Sequence, residues 1–436
     1  MSATQNSARQ NGATENSGTQ SGGMQNSATK SGGTQSGAAQ APGAAQAKGG
    51  RGKFIPLLAL GTFALGVDAY VMAGLLPHVS ADLHISASSA GQMVTVFTLC
   101  YALGGPVFAT LLAKRSAKVV LGVALVVFTI GNALTALAPS LAVLLISRAV
   151  AGIGAGVYSP TAAATAAGLT TPERRGRALA TVMGGLSIGT VIGVPVGMLL
   201  ADHMGWRGTL WLITGLGAVA LLGIVRLPKI DVSPPPPLGQ RVRALASGRV
   251  TGIVTVSLLG GIASLGLYTY LAEFLADAAH TDQTVWAMWA WGAGGIIGSL
   301  LIGPVVDRTR RPFTAVTCVL VLIVASQLVL PAAAHAAAAA AIVPLVIWGA
   351  AGWAVQVPQQ HQLIAAQPQQ PTIAVSLNSS AVYLGSGIGS ALGGLVLGLG
   401  AAPSTLPYWT GGLSLVALVL HLTVVRGAVR RGEKAA

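Results

Sequence analysis

Asp68 and Arg148 are the residues of this 436-residue chain best able to do chemistry, because each lies inside an otherwise apolar stretch. An ionisable group in hydrocarbon is costly and is a functional site by default. A carboxylate beside a guanidinium is balanced between two forms: burial favours the neutral acid, and the cation favours the ionised one. If access to water alternates, that balance changes and a proton is taken up or released. The same two groups could instead contact a substrate directly, or form a fixed ion pair that orients helices. Buried pairs are weak stabilisers, which favours the proton-carrying reading.

Other side chains in the apolar stretches suit an amphipathic ligand. Tyr70, Tyr101, Tyr268, Tyr270, Trp348 and Trp353 either line a cavity or pack, and Asn378 with Ser379 and Ser380 bonds either to helices or to a substrate. Glu273, Asp277 and Asp282 read as a solvated rim, and Trp206, Trp286 and Trp409 as an interfacial aromatic belt. Asp307, beside Arg308, Arg310 and Arg311, has the charges of a conformational latch at a helix end. Cys100 and Cys318 read as small buried apolar side chains, with no disulfide or metal framework. No Walker-type glycine loop and no His-Glu-x-x-His constellation is present, so neither ATP-driven work nor an enzyme, metal or cofactor is expected.

The elements that must hold these residues are membrane helices. The chain is 53 % hydrophobic and 8 % charged, against about 25 % charged in soluble domains. Apolar blocks near 54–77, 90–112, 119–138, 140–168, 178–201, 207–227, 250–275, 284–304, 312–331, 342–358, 371–399 and 407–425 predict twelve spans, since about 20 apolar residues cross a bilayer core. No segment alternates as a β-barrel strand would. The net charge of +14 would suggest nucleic acid in a soluble chain, but 23 of the 25 Lys and Arg fall on one side of the spans, with Arg207 opposite and Arg148 within span 4. Positive residues stay cytoplasmic, so both termini are expected inside and no nucleic-acid partner is expected.

Depth relates the two ionisable residues. Asp68 is 14 residues beyond Phe54, roughly 21 Å from the inner face and so roughly 9 Å from the outer face of a core about 30 Å thick. Arg148 is 8 residues beyond Ser140, roughly 12 Å from the outer face. The two lie at similar depth and can face each other or pair.

Residues 1–50 are polar and low in complexity, which predicts a disordered cytoplasmic tail rather than a signal peptide. Spans fall into six-helix halves at 51–227 and 250–426, joined by a cytoplasmic linker at 228–249 stiffened by Pro234–Pro237, with a tail at 427–436. The stretch Gln240–Arg249 is basic enough to lie on the membrane surface, and Ala332–Ala341 reads as an outer loop. Span 5 carries Gly185, Gly189, Gly193 and Gly197, and span 11 carries Gly385, Gly389 and Gly393, all at steps of four. Such stripes let another backbone approach, as a moving interface or as plain packing.

These features resemble the major facilitator superfamily over residues 54–426, and more narrowly its twelve-span drug:proton antiporters. The branch is the one holding chloramphenicol exporters, arabinose-efflux-like permeases and purine nucleoside exporters. Leu65 to Tyr70 and Ala73 to Pro77 are similar to that branch's first helix, including its acidic residue; Arg148 to Gly154 resembles the span 4 motif with its buried arginine. Gly189, Gly193, Pro195 and Gly197 resemble the span 5 antiporter motif, with Val194 separating a Gly and a Pro that are usually adjacent, and 172–178 also resembles the family. Gly303 to Arg308 and Arg311 match the inner-loop motif in the second half; in the first half Ala109 and Ala113 replace Gly and Asp, so gating weight falls on Asp307. The resemblance implies two six-helix bundles around a cavity nearest spans 1, 4, 7 and 10, proton-coupled export of small amphipathic molecules such as chloramphenicol-like antibiotics, and a monomer in a bacterial inner membrane. Sugar or nucleoside efflux, or import of small metabolites, are the alternatives it leaves.

Overall fold

Helix propensity and lipid solvation together dictate an all-helical chain, because every backbone group in hydrocarbon must be bonded within its own segment. The computed structural model describes residues 50–430 except 113, 172–173, 229–237, 282–283 and 369. The expectations for the tail at 1–49, Pro234–Pro237, Asp282, Ala113, Pro172, Glu173 and residues 431–436 lie outside these. Among the described residues there are helices and loops and no strand.

In chain order the helices are α1 Ile55–Gly74, α2 Leu76–Asp82, α3 Ala87–Leu111, α4 Ala117–Ala136, α5 Leu141–Gly168, α6 Arg175–Ile188, α7 Val194–Val225, α8 Leu238–Ala244, α9 Gly248–Thr269, α10 Leu271–Ala278, α11 Val285–Thr309, α12 Pro312–Ala336, α13 Ile342–Ala354, α14 Gln356–Ala366, α15 Pro371–Gly398 and α16 Leu406–Arg430. A π-helical turn, Gly189–Gly193, joins α6 to α7. Start and stop signals are local: the Ser86 side chain accepts from the Ser89 N–H at 3.2 Å to cap α3, Pro312 and Pro371 open α12 and α15, and Arg310 at φ 51° ends α11.

Eleven helical stretches are long and apolar enough to cross a membrane, and one of them, Arg175–Val225, runs 51 residues. A straight helix of that length would be roughly 77 Å long, over twice a bilayer core of about 30 Å. It is two crossings, turned at Gly205, whose φ of 71° and ψ of 164° only glycine adopts readily. Among the described residues, twelve crossings result. Span 10 is also composite, α13 and α14 meeting at Val355, and it runs on to Ala366 rather than ending near 358. The expected loop Ala332–Ala341 is instead mostly helical: α12 continues to Ala336, and Ala338–Ala341 form a 3-10 turn. Alanine is the best helix former, so α12 runs on into this stretch and stops at Ala337, which is extended at φ −168° and ψ 143°.

The helices pack in two sets. In the first, α1 lies on α6, the π turn and α7, while α5 lies on α3 and α4, and α4 on α7. In the second, α9 lies on α15 and α16, α11 on α13, and α12 on α13 and α16. The sets meet where α3 packs on α15, where α11 packs on the π turn and α7, and where α9 and α10 touch α1. The face carrying Lys114, Arg115, Arg175, Arg308 and Arg311 is called the basic face below, and the other the opposite face.

Several side chains sit otherwise than expected. Trp206 is 3 % exposed, so it belongs to no interfacial belt, whereas Trp409 is exposed. Cys100 is half-buried and Cys318 exposed on an apolar helix, and both are free thiols. Tyr270, by contrast, packs as one of its two readings had it: it is buried, its hydroxyl donating to the Ser390 carbonyl at 2.8 Å. Glu273 and Asp277 are half-buried rather than fully solvated.

Candidate functional site

The first half holds its ionisable residues where three helices come closest. A Cβ added at Gly152 in α5 would overlap the Phe97 carbonyl of α3, and one at Gly154 would overlap the α4 backbone at Phe128 and Ala124. The two glycines of the span 4 motif therefore seat α5 between α3 and α4 and bring Arg148 within reach of α1. One turn away, Thr135 of α4 donates to Ser147 of α5 at 2.9 Å.

Asp68 and Arg148 form a direct ion pair, Nη1 donating to Oδ1 at 2.6 Å, with the two side chains 0 % and 1 % exposed. Two further groups complete the site. Asn132 of α4 donates from Nδ2 to Asp68 Oδ2 at 3.2 Å and to the Phe128 carbonyl at 3.1 Å, and its Oδ1 accepts from Arg148 Nη1 at 3.5 Å. The Phe97 ring lies 4.2 Å under the guanidinium carbon, a desolvated cation–π contact of about 2 kcal/mol. Asn132 and Phe97 were not singled out from sequence. Asn132 is a buried carboxamide in an apolar span, the same signal that marked Asn378; nothing in the pattern distinguishes Phe97 from a packing residue.

Two residues along α1, Tyr70 joins an aromatic cluster. Its ring is 5.8 Å from Tyr268, 6.0 Å from Trp353 and 6.2 Å from Trp291; Trp291 in turn is 4.4 Å from Tyr268 and 5.9 Å from Trp348, whose Nε1 donates to Ser264 at 2.7 Å. Tyr70, Val94, Thr98, Tyr268, Tyr383 and Ser386 line a small central void, with room for about one water. Tyr101 stacks on Tyr383 at 3.9 Å and lies 6.4 Å from Phe97. Rings are thus continuous from the Arg148 guanidinium to the void. Asn378 does not join them: it accepts from Ser257 at 2.6 Å and donates to Gln356 at 3.0 Å, tying α9, α14 and α15.

The glycine stripes lie inside their own halves. A Cβ on Gly189 would overlap the Phe63 carbonyl of α1, while Gly193 and Gly197 face Val67 and Val71. In the second half Gly385 and Gly389 meet the carbonyls of Leu258 and Ile262 on α9. Pro195 is buried beside them. Gly303 has open space around it, and Asp307, Arg308 and Arg311 are exposed at the basic face; among the described residues Asp307 makes no ion pair.

The opposite face is closed where α3 meets α15. Ser88 donates to the Gly394 carbonyl at 2.6 Å, and Ser390 donates to the Gly91 carbonyl at 3.0 Å. Arg207 bonds Asp82, donates to the Ala138 carbonyl at 3.0 Å and lies over the Trp206 ring, whose Nε1 donates to Asp82 at 3.2 Å. The hydrogen bond from Arg207 holds the Asp82 carboxyl below its ordinary value. Asp277 is likewise lowered, first by a hydrogen bond from the Ser404 side chain and then by the Ser404 N–H, which donates to it at 2.8 Å.

Residues 58–390 match the profile of the Major Facilitator Superfamily. The chain belongs to that superfamily. It is a multi-pass membrane transporter, and transporters of this kind are not enzymes. Among its relatives, the inner membrane transport protein YdhP of Escherichia coli (strain K12) is 30% identical over 84% of this chain and 94% of that one. The chloramphenicol resistance protein of Streptomyces lividans is 30% identical over 84% and 93%. A crystal structure of a variant of the nucleoside transporter NupG superposes with a TM-score of 0.69 at 13% identity, covering 86% of this chain and 99% of that one. At that identity the likeness concerns the fold alone. The major facilitator fold accounts for the two sets of six crossings and the void between them.

Proposed function

We propose that this chain is a proton-coupled exporter of small amphipathic molecules, chloramphenicol-like antibiotics among them, in the drug:proton antiporter branch of the superfamily. The observation that carries the reading is the fully buried Asp68–Arg148 pair two residues from Tyr70, which lines the central void. Protonation of Asp68 would cancel the charge that holds Arg148. Because α1 carries both Asp68 and Tyr70, that change would be felt at the void wall. The void is lined by aromatic, hydroxyl and aliphatic side chains without a charged one, which suits an uncharged or weakly basic ligand with an aromatic face. The 30% identity to a chloramphenicol resistance protein supports the substrate class.

In this reading the halves 51–227 and 250–426 rock about the void, linked by 228–249, with the tails 1–50 and 427–436 and the basic face in the cytoplasm of a bacterial inner membrane. The protein acts as a monomer with protons and substrate as its partners. The closed opposite face would make this the inward-facing arm of the cycle, with Asp307 unlatched. Efflux of sugars or nucleosides is the alternative with the same machinery.

The test is chloramphenicol accumulation in inverted vesicles energised to an acid interior. Accumulation that collapses with a protonophore and in Asp68→Asn is expected. Undiminished accumulation by Asp68→Asn would sink proton coupling, and uptake in right-side-out vesicles instead would reverse the direction.

A further inference from the structure

We propose that Asn132 is the positioning residue of the coupling pair, a relay that transmits protonation of Asp68 into α4. This rests on the proton-coupled reading above and names a part of it that the family motifs do not contain. Both oxygens of the Asp68 carboxylate are already met by donors: Oδ1 by Arg148 at 2.6 Å and Oδ2 by Asn132 at 3.2 Å. Each oxygen keeps a second lone pair, but a proton that adds to one weakens the bond which that oxygen already accepts. The shorter, charge-assisted bond to Arg148 is the stronger, so the proton enters at Oδ2, on the Asn132 side.

The orientation of the Asn132 amide is fixed by its surroundings rather than assigned by choice. Its Nδ2 carries two hydrogens, one directed at Oδ2 and the other at the Phe128 carbonyl, while Oδ1 faces Arg148. Turned over, the amide would set its oxygen against the Phe128 carbonyl and its NH2 against the guanidinium. Both contacts are repulsive between like partners. That arrangement gives the side chain two states. With the carboxylate ionised, Nδ2 donates to it and Oδ1 supports Arg148. With Oδ2 protonated, the new O–H needs an acceptor, and Asn132 Oδ1 is the nearby group able to serve. Taking it requires the amide to turn, which breaks the bond to Phe128 and presents donors to Arg148. Addition of one proton to Oδ2 is therefore converted into a lost bond within α4 and a push on α5.

No other charge competes at the site. Arg148 is the charged side chain in contact with Asp68 among the described residues. The helices packed on α1, and α4 itself, carry their remaining charges toward their ends or, in α7, beside its bend at Gly205: Asp82 in α2, Lys118 in α4, Arg175 and Arg177 in α6, Asp202 and Arg207 in α7, Arg249 in α9, and Glu273 and Asp277 in α10. On α1, Tyr70 follows Asp68, and Tyr268 faces it across the void.

The experiment uses the full chain in lipid with two readouts. The first is the infrared carboxylate stretch that is lost in Asp68→Asn. Removing the donor in Asn132→Leu is expected to move that band; Asn132→Ser, which keeps one hydroxyl donor, is expected to restore most of it. The second is the ratio of gradient-driven chloramphenicol accumulation to chloramphenicol exchange in proteoliposomes. Asn132→Leu is expected to lower that ratio at least about 10-fold by loss of one hydrogen bond to a charged group, with Asn132→Ser intermediate. A band that stays in place in both variants, or a ratio unchanged because both fluxes fall together, would overturn the assignment and leave Asn132 a structural residue. Wild-type transport indifferent to the gradient would instead overturn the coupling reading and the relay with it.

Discussion

Arg148 is held by contacts of three chemistries: an ionic one to Asp68, a hydrogen bond to Asn132 and the face of Phe97. A lysine would keep the charge but not the flat face that lies on the Phe97 ring. Arg148→Lys is therefore expected to cut proton-driven transport by at least about 10-fold while leaving the protein folded, as checked by vesicle accumulation and by thermal unfolding in detergent. At the opposite face, Asp82 makes a separate, testable contribution. Its carboxyl is lowered by Arg207, so its stabilisation is present above the ordinary aspartate range and is lost as pH falls through and below that range. It is part-exposed, so the effect is small. As pH drops through and below the ordinary aspartate range, the melting temperature of the wild type should fall more steeply than that of Asp82→Asn; parallel curves would deny the contact a role. Asp68 and Arg148 were legible in the sequence because charge in hydrocarbon is costly and helix rise converts position into depth. Phe97 was not legible, since a ring that packs and a ring that supports a cation have the same sequence signature.

At the scale of the element, glycine positions set how near two helices can come, and they divide into those with a backbone against them and those with space. Gly152 and Gly389 face the carbonyls of Phe97 and Ile262, whereas Gly215 and Gly176 have nothing within 4 Å. Gly152→Ala and Gly389→Ala should each destabilise the chain by about 1–3 kcal/mol, read as a lower melting temperature in detergent. Gly215→Ala should be neutral or slightly stabilising, since alanine favours the helix. If all three behave alike, close approach is not what these residues provide. The stripes on spans 5 and 11 were visible as steps of four, but which helix they faced was not. Spacing defines a face and carries no information about the neighbour; the structure turns them toward α1 and α9 within the same half. The run Ala332–Ala341 shows the reverse failure. Its low information reads as a loop, although alanine without a breaker prolongs α12 as far as Ala336.

For the whole molecule, the two halves meet at the opposite face through backbone carbonyls accepting from small hydroxyls. Ser88 reaches Gly394, and Ser390 reaches Gly91. Such contacts are individually weak, of about 1 kcal/mol each, and suit a surface that must part in every cycle. The same closeness offers a way to hold it shut. A Cβ at Gly398 would lie 4.0 Å from that of Ser88, within the range a disulfide requires. In a background with Cys100 and Cys318 replaced by alanine, Ser88→Cys with Gly398→Cys should cross-link under mild oxidant, giving a shift in electrophoretic mobility that thiols reverse. If opening of this face is an obligatory step, oxidation should abolish chloramphenicol accumulation in vesicles and reduction should restore it, while either single variant stays active in both conditions. Cross-linking without loss of transport would mean that substrate crosses with these helices together, and alternating access between the halves would have to be abandoned for this chain. Only the packing of α3 on α15 makes this test possible. The hydropathy pattern could predict twelve crossings and a basic face, but a register between distant helices depends on which small residues happen to oppose each other across the chain.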